Sequence, residues 1–387
     1  MRIKKKKYCC GCYACKQICP QKCIEFKHDK EGFLYPKIDK TVCINCGLCE
    51  KVCPVKHSDT LQVKPLKAYS VKAKSHDVLM KSSSGGTFYG IAKHVLQNKG
   101  FVYGAAETES GIEHICIDNE AMIEKLMGSK YIQSHIGDVF PEIKEKLKSD
   151  KMVLFSGTPC QVYGLKCFLR KDYKKLITID FICHGVPSMQ IWESYKAYLS
   201  GLYGTDIHNI NFRDKRKGWK QYGLSYNVGC NSMFESNNDS MYLLAFKQNY
   251  TLRPSCYDCK FKNLHRASDI TLADFWSVNA FLQNIDFYNG VSLVIANTYE
   301  GNTLLSKLNG YDITDLPLRE VLLSNVSYNL SAEAPFFRKL FIWVVKNLGW
   351  KSANIFLKEK SSISRRFEKL RFRIQLNQVK KMYKDIR

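Results

Sequence analysis

The chain has 387 residues, of which 45% are hydrophobic, and a formal net charge of +23. That length supports one large core or two domains with a small appendage, and no apolar run reaches the eighteen residues a membrane-spanning helix needs. It opens on four lysines, Lys4 to Lys7, with no apolar segment behind them, so its seventeen cysteines are expected in a reducing cytoplasm, as metal ligands and not disulfides.

Ten of the seventeen cysteines precede residue 54, and eight of these form two copies of C-x2-C-x2-C-x3-C-P. Cys9, Cys12, Cys15 and Cys19 run into Pro20, and Cys43, Cys46, Cys49 and Cys53 run into Pro54. This is the bacterial ferredoxin run, in which three thiolates wrap one cubane and the fourth reaches the other. The spacing assigns Cys9, Cys12, Cys15 and Cys53 to one [4Fe-4S] cluster, and Cys19, Cys43, Cys46 and Cys49 to a second. Zinc ribbons instead pair two C-x2-C units around one tetrahedral ion. Cys10 and Cys23 stand outside the pattern. Residues 23–26 and 33–36 read as short strands joined by a turn at 29–32. A two-cluster ferredoxin-type domain is expected over 1–60.

A polar linker over 55–67 leads to alternating strands and helices, the signature of an α/β (α+β) core. Strands are expected at 68–71, 101–104, 152–155, 176–182, 269–272 and 292–295, and helices at 88–96, from Pro159 onward and at 190–199. The core is placed at 67–310, in parts of about 67–145 and 150–310, with a helical basic extension over 311–387.

Two constellations in the core carry chemistry. Ser82-Ser83-Ser84-Gly85-Gly86-Thr87 precedes a helix. Glycines allow close backbone approach, and a helix N-terminus offers free N–H groups, so this loop is either a simple cap or a cradle for a flavin phosphate. The second is Cys160 at a helix start, Cys183 beside His184 at a strand end, and Cys256 with Cys259. Strand carboxyl ends are where ligands gather in open α/β sheets. Four thiolates there would hold a third cubane; buried unliganded thiols, a zinc site or a nucleophilic Cys160 or Cys183–His184 pair are the other readings.

Several segments in order resemble the coenzyme F-420 hydrogenase/dehydrogenase beta-subunit family, over roughly residues 8 to 300. They are the cysteine repeat, Ser83-Ser84-Gly85-Gly86, Gly128-Ser129-Lys130-Tyr131, Ser156-Gly157-Thr158-Pro159-Cys160-Gln161, Cys183-His184-Gly185, Asn211-Phe212-Arg213-Asp214-Lys215 with Gly218-Trp219, Arg253-Pro254-Ser255-Cys256 with Cys259, and Asp274-Phe275-Trp276. The resemblance implies a flavin-binding core, with FAD or FMN beside a third [4Fe-4S] cluster on Cys160, Cys183, Cys256 and Cys259. Ser83, Ser84, Gly85, Gly86, Thr87, Lys130 and Tyr131 become the flavin residues, and Lys130 the group that stabilises the reduced ring. Ala273 departs from the family's usual glycine before Asp274. The implied activity is that of an iron–sulfur flavoprotein oxidoreductase. It would take electrons from ferredoxin or another donor protein and act on a small-molecule substrate or the deazaflavin coenzyme. Relatives with this fused N-terminus occur in surface-polysaccharide gene sets, which implies a link to that biosynthesis. The alternative is an electron-transfer subunit that feeds a partner enzyme.

The C-terminus is strongly basic, with Lys358, Lys360, Arg365, Arg366, Lys369, Arg371, Arg373, Lys380, Lys381 and Lys384 interleaved with Phe367, Leu370, Phe372, Ile374 and Leu376. Behind the short apolar stretch 336–345, this reads as a solvated helix or as peripheral contact with an anionic membrane face. A field of this sign would also steer an acidic protein. No nucleic-acid module is present, so nucleic acid is not expected as a partner.

Overall fold

The computed structural model describes residues 6–58, 61, 63–283 and 285–357, with positions 374, 377 and 381. Of the C-terminal basic residues only Lys381 is among them, so the expected basic helix lies outside the described residues.

The strands in chain order are β1 (Ile24–His28), β2 (Leu34–Ile38), β3 (Lys67–Ala73), β4 (Phe101–Thr108), β5 (Gly111–Ile117), β6 (Val153–Ser156), β7 (Leu176–Phe181), β8 (Ile207–Asp214), β9 (Gly223–Val228), β10 (Asn231–Ser236), β11 (Ile270–Asp274), β12 (Ser292–Ala296) and β13 (Tyr311–Leu316). β1 and β2 pair as an antiparallel hairpin that places Phe26 opposite Pro36. Its turn is tied by Asp29, whose carboxylate accepts from the Glu31 and Phe33 N–H groups.

Eight strands build one mixed sheet in the order β13-β3-β12-β11-β7-β6-β4-β5. Its middle, β11-β7-β6-β4, is parallel. Buried on both faces, these strands read as unbroken apolar runs, as Val153-Leu154-Phe155 does. The flanks are antiparallel. One face packs on helix Thr87–Gln97, which buries Ile91, Ala92 and Val95 against Val102 and Leu154. The other face packs on helices Val139–Lys148 and Pro159–Leu169, and the N-terminal segment joins the same core through Tyr13, Ala14 and Val52. The Cys12 loop comes within 2.8 Å of where a Cβ on Gly164 would lie, so that helix position has room only for glycine.

All six strands expected in the core form, each starting within one residue of the expected position. Several elements were not expected, among them β5, the hairpin partner of β4, and two larger features. β8, β9 and β10 form a separate antiparallel sheet over helices Met189–Tyr203, Met241–Lys247 and Arg338–Ala353, around Trp192, Tyr195, Tyr242 and Trp350. The second corrects the helical extension expected from 311: Tyr311–Leu316 is a strand that pairs with β3, so the sheet continues past residue 310. In the apolar stretch 336–345, Phe341, Ile342, Val344 and Val345 are buried in the core, while Phe336, Leu340 and Trp343 face outward. Among the described residues no helix is long and apolar enough to cross a membrane.

Candidate redox site

The two cysteine runs fold alike. Each turns through the left-handed region at matching positions, Gly11 and Tyr13 in the first and Asn45 and Gly47 in the second. Such turns aim successive N–H groups inward, a nest for an anion. A tyrosine at φ 64° is uncommon; Tyr13 is held there by stacking on Phe26 at 3.9 Å. Cys9, Cys12, Cys15 and Cys53 are buried together, and Cys15 feels Cys9 and Cys53 electrostatically. Cys19, Cys43, Cys46 and Cys49 lie nearer the surface, with Cys46 exposed. Cys23 joins this outer set, its sulfur 3.4 Å from that of Cys19. Among the described residues no three His, Cys, Asp or Glu side chains close on a point suited to one metal ion. A cubane is wider than an ion, and its thiolates stand further apart.

The core cysteines converge although they are far apart in sequence. Cys160 follows Pro159 at the start of helix Pro159–Leu169, where Thr158 and Gln161 form a reciprocal capping box. Cys183 lies just beyond β7, and Cys256 and Cys259 flank the end of the turn Pro254–Asp258. All four line one cavity, together with Cys10. Burial pushes the Cys183 thiol up, and that of Cys256 up to about 12. Cys10, outside the repeat pattern, interacts with Cys12 on one side and Cys160 on the other. Arg253 spans the same junction. Its fully buried guanidinium donates to the Cys9 carbonyl at 2.8 Å, the Leu34 carbonyl at 2.8 Å and Gln133 Oε1 at 2.8 Å, and lies 3.8 Å from the Cys9 sulfur. Lys262 is buried beside Cys183, Cys256 and Cys259, donating to the His184 carbonyl at 3.4 Å.

A cleft of about 510 Å³ adjoins this cavity, within the usual range for cofactor sites. The two share Thr158, Cys160 and residues 183–186. Of the expected flavin residues, Ser83, Ser84, Gly86, Thr87, Lys130 and Tyr131 line the cleft. Gly85 instead backs onto the sheet: a Cβ there would lie 2.1 Å from the Val71 oxygen and 2.5 Å from the Ser292 nitrogen. Ser83 and Ser129 hydroxyls meet at 2.8 Å and join the two loops. Gly86, at φ 83°, caps helix Thr87–Gln97. Lys130 donates to the Met127 and Lys125 carbonyls at 2.6 and 3.2 Å. Burial pulls its pKa down to about 8, with Glu107 opposing.

The cleft also holds motif residues to which spacing assigns no role. Buried Arg213 pairs with both Asp274 oxygens at 2.9 Å and donates to Tyr131 Oη at 3.1 Å and the Ser83 carbonyl at 3.1 Å. Trp219 Nε1 also donates to Asp274, at 2.9 Å, and its ring stacks on Trp276 at 4.7 Å. Arg213 and Asp274 are 61 residues apart, so only the fold reveals the pair. Among the described residues, three buried polar atoms of cleft-lining side chains lack a partner: Thr87 Oγ1, Arg213 Nε and His114 Nδ1. Burial holds His114 neutral, with its pKa pulled down to about 4.

Residues 8–57 match the family model of a 4Fe-4S dicluster domain. Residues 150–315 match the family model for the C terminus of the coenzyme F420 hydrogenase/dehydrogenase beta subunit. An iron–sulfur electron-transfer domain is thus joined to a domain like that of a hydrogenase/dehydrogenase beta subunit. Among solved structures, a chain of the xenon-derivatised F420-reducing [NiFe] hydrogenase complex from Methanosarcina barkeri is similar at 16% identity and a TM-score of 0.46, covering 79% of this chain and 95% of that one. A search of the curated proteins finds no match.

Proposed function

We propose that the chain is an iron–sulfur flavoprotein oxidoreductase that leads electrons from a surface cluster, through a buried one and a third in the core, to a flavin in the cleft. The observation that carries this reading is the wall shared by the thiol cavity and the cleft, residues 158, 160 and 183–186. Cys9, Cys12, Cys15 and Cys53 hold the inner cluster, and Cys19, Cys43, Cys46 and Cys49 the outer one. Cys160, Cys183, Cys256 and Cys259 hold the third.

The residues fit these groups. A buried lysine without a carboxylate partner costs several kcal/mol; among the described residues Lys262 forms no ion pair, and a four-thiolate cluster on the cysteines beside it would supply the anion. The unpartnered Thr87 hydroxyl and Arg213 Nε suit the phosphates or ring edge of FAD or FMN. Lys130 sets its ammonium against negative charge on a reduced ring, and Tyr131 and Arg213 fix the loops around it. A bound flavin supplies the exchange between single electrons and electron pairs that a substrate or the deazaflavin coenzyme requires. The residues of this chain position it and balance its charge.

Cys183→Ser tests the assignment. Anaerobically prepared variant should retain flavin but hold about eight irons where the parent holds about twelve. Equal iron in the two would remove the core cysteines from the metal site.

A further inference from the structure

The two N-terminal thiol sets differ in how near another protein can come. Cys9, Cys12, Cys15 and Cys53 are buried, each at 8% exposure or less, whereas Cys46 of the outer set is exposed. Beside Cys46 the chain turns large apolar side chains to solvent, Val42 at 46% and Ile44 at 60% exposure. Four exposed lysines belong to the same small domain. Lys40 and Lys51 flank the second cysteine run, Lys37 lies near the end of β2, and Lys22 follows Cys19. The hairpin brings its two ends together, since the Asp39 N–H donates to the Cys23 carbonyl at 2.8 Å.

These lysines are not neutralised. Among the described residues Lys22, Lys37, Lys40 and Lys51 form no ion pair, while the nearby acids are engaged. Glu50 pairs with Lys56 at 2.6 Å, Glu25 with Lys27 at 3.4 Å, and Asp39 accepts from the Thr41 hydroxyl at 2.6 Å and N–H at 2.9 Å. Exposed apolar side chains beside the outermost thiols, on a domain whose exposed lysines exceed its free acids, suit a transient docking face. Electron-transfer encounters bury little surface, under about 1,200 Å², so a patch of this size suffices.

We propose that this face, Val42 and Ile44 with the domain's Lys22, Lys37, Lys40 and Lys51, docks a small acidic protein that carries one electron. The proposal rests on reading the outer thiols as a cluster. One electron crosses per encounter: the carrier is oxidised by one, the outer centre is reduced by one, and no bond forms or breaks. Opposite charge steers the encounter and sets its orientation.

The test uses the full iron-loaded chain and a small acidic [2Fe-2S] ferredoxin as the probe, with a basic cytochrome as control. Binding is followed by fluorescence anisotropy, and electron uptake by stopped-flow absorbance. Affinity for the acidic probe should fall at least about tenfold between about 20 and 300 mM salt, as screening shortens the Debye length. The quadruple variant Lys22→Gln, Lys37→Gln, Lys40→Gln, Lys51→Gln should lose about tenfold in affinity and uptake rate at low salt, with iron content and reduction by dithionite unchanged. Ile44→Asp should weaken binding alone. Equal binding by the quadruple variant, or equally tight binding of the basic cytochrome, would overturn the docking face while leaving the clusters standing. A parent chain that holds no iron would overturn the cluster reading and the docking face with it.

Discussion

Arg213 shows how much one side chain can hold. Its guanidinium ties Asp274, Tyr131 Oη and the Ser83 carbonyl, and lies 4.1 Å from the centre of the Tyr222 ring. Removing one partner of a buried ion pair typically costs about 3–5 kcal/mol. Arg213→Met should therefore lower the apparent melting temperature and release flavin, and Arg213→Lys should recover little because the fork to Asp274 is lost. Melting unchanged from the parent would show that the pair is not structural. At Lys130 the expectation concerns pH. Its folded pKa, near 8, lies below the unfolded value of about 10.4. Between the two the unfolded chain holds the extra proton, so folding gains as pH rises through that window. The ammonium is lost over the same range, so affinity for reduced flavin should weaken as pH rises through about 8, and Lys130→Met should show no such step. A matching step in the variant would assign the titration elsewhere. For the inner thiols, Cys12→Ser should remove about four irons and spare the flavin.

Among the elements, the loop over 82–87 behaves differently from its sequence pattern. Paired glycines suggested two residues yielding space to a ligand. In the fold only Gly86 borders the cleft, and Gly85 exists so that the loop can lie against β3 and β12. Gly85→Val should thus act first on packing, at about 1–3 kcal/mol or more, and on flavin through displacement of the loop. Thr87→Val, which exchanges the unpartnered hydroxyl for a methyl, should weaken flavin with little change in the melting temperature. If Gly85→Val melted like the parent and merely lost flavin, the loop would face the ligand after all. The cysteine runs were legible because their chemistry is local: spacing sets the loop, and the matched left-handed turns at 11 and 45 and at 13 and 47 repeat it in the backbone. The parallel strands were legible as apolar runs. β8 and β10 were not, since Ile207 to Asp214 and Asn231 to Ser236 mix polar and apolar residues on a half-solvated sheet. β13 is an edge strand, mostly exposed, with little apolar pattern to read. Arg213 with Asp274, Lys262, and the place of Cys10 depend on contacts between distant segments, which spacing does not encode.

For the whole molecule, the thiol sets form a series from the surface to the cleft, and this series is the proposed electron path. Outer thiols, half-buried except for exposed Cys46, lead to buried inner thiols, then through the Cys10 and Arg253 junction to the half-buried core quartet, and on to the cleft that shares its wall. Cations accompany the path inward: among the described residues Arg253 and Lys262 form no ion pair, and Asp258 of the same cavity pairs with Lys7 and Lys260. The most direct test is iron and released flavin per chain on anaerobically purified protein. About twelve irons and one flavin are expected; about eight irons with no flavin would leave only the N-terminal domain as a redox unit and contradict a path that ends in the cleft.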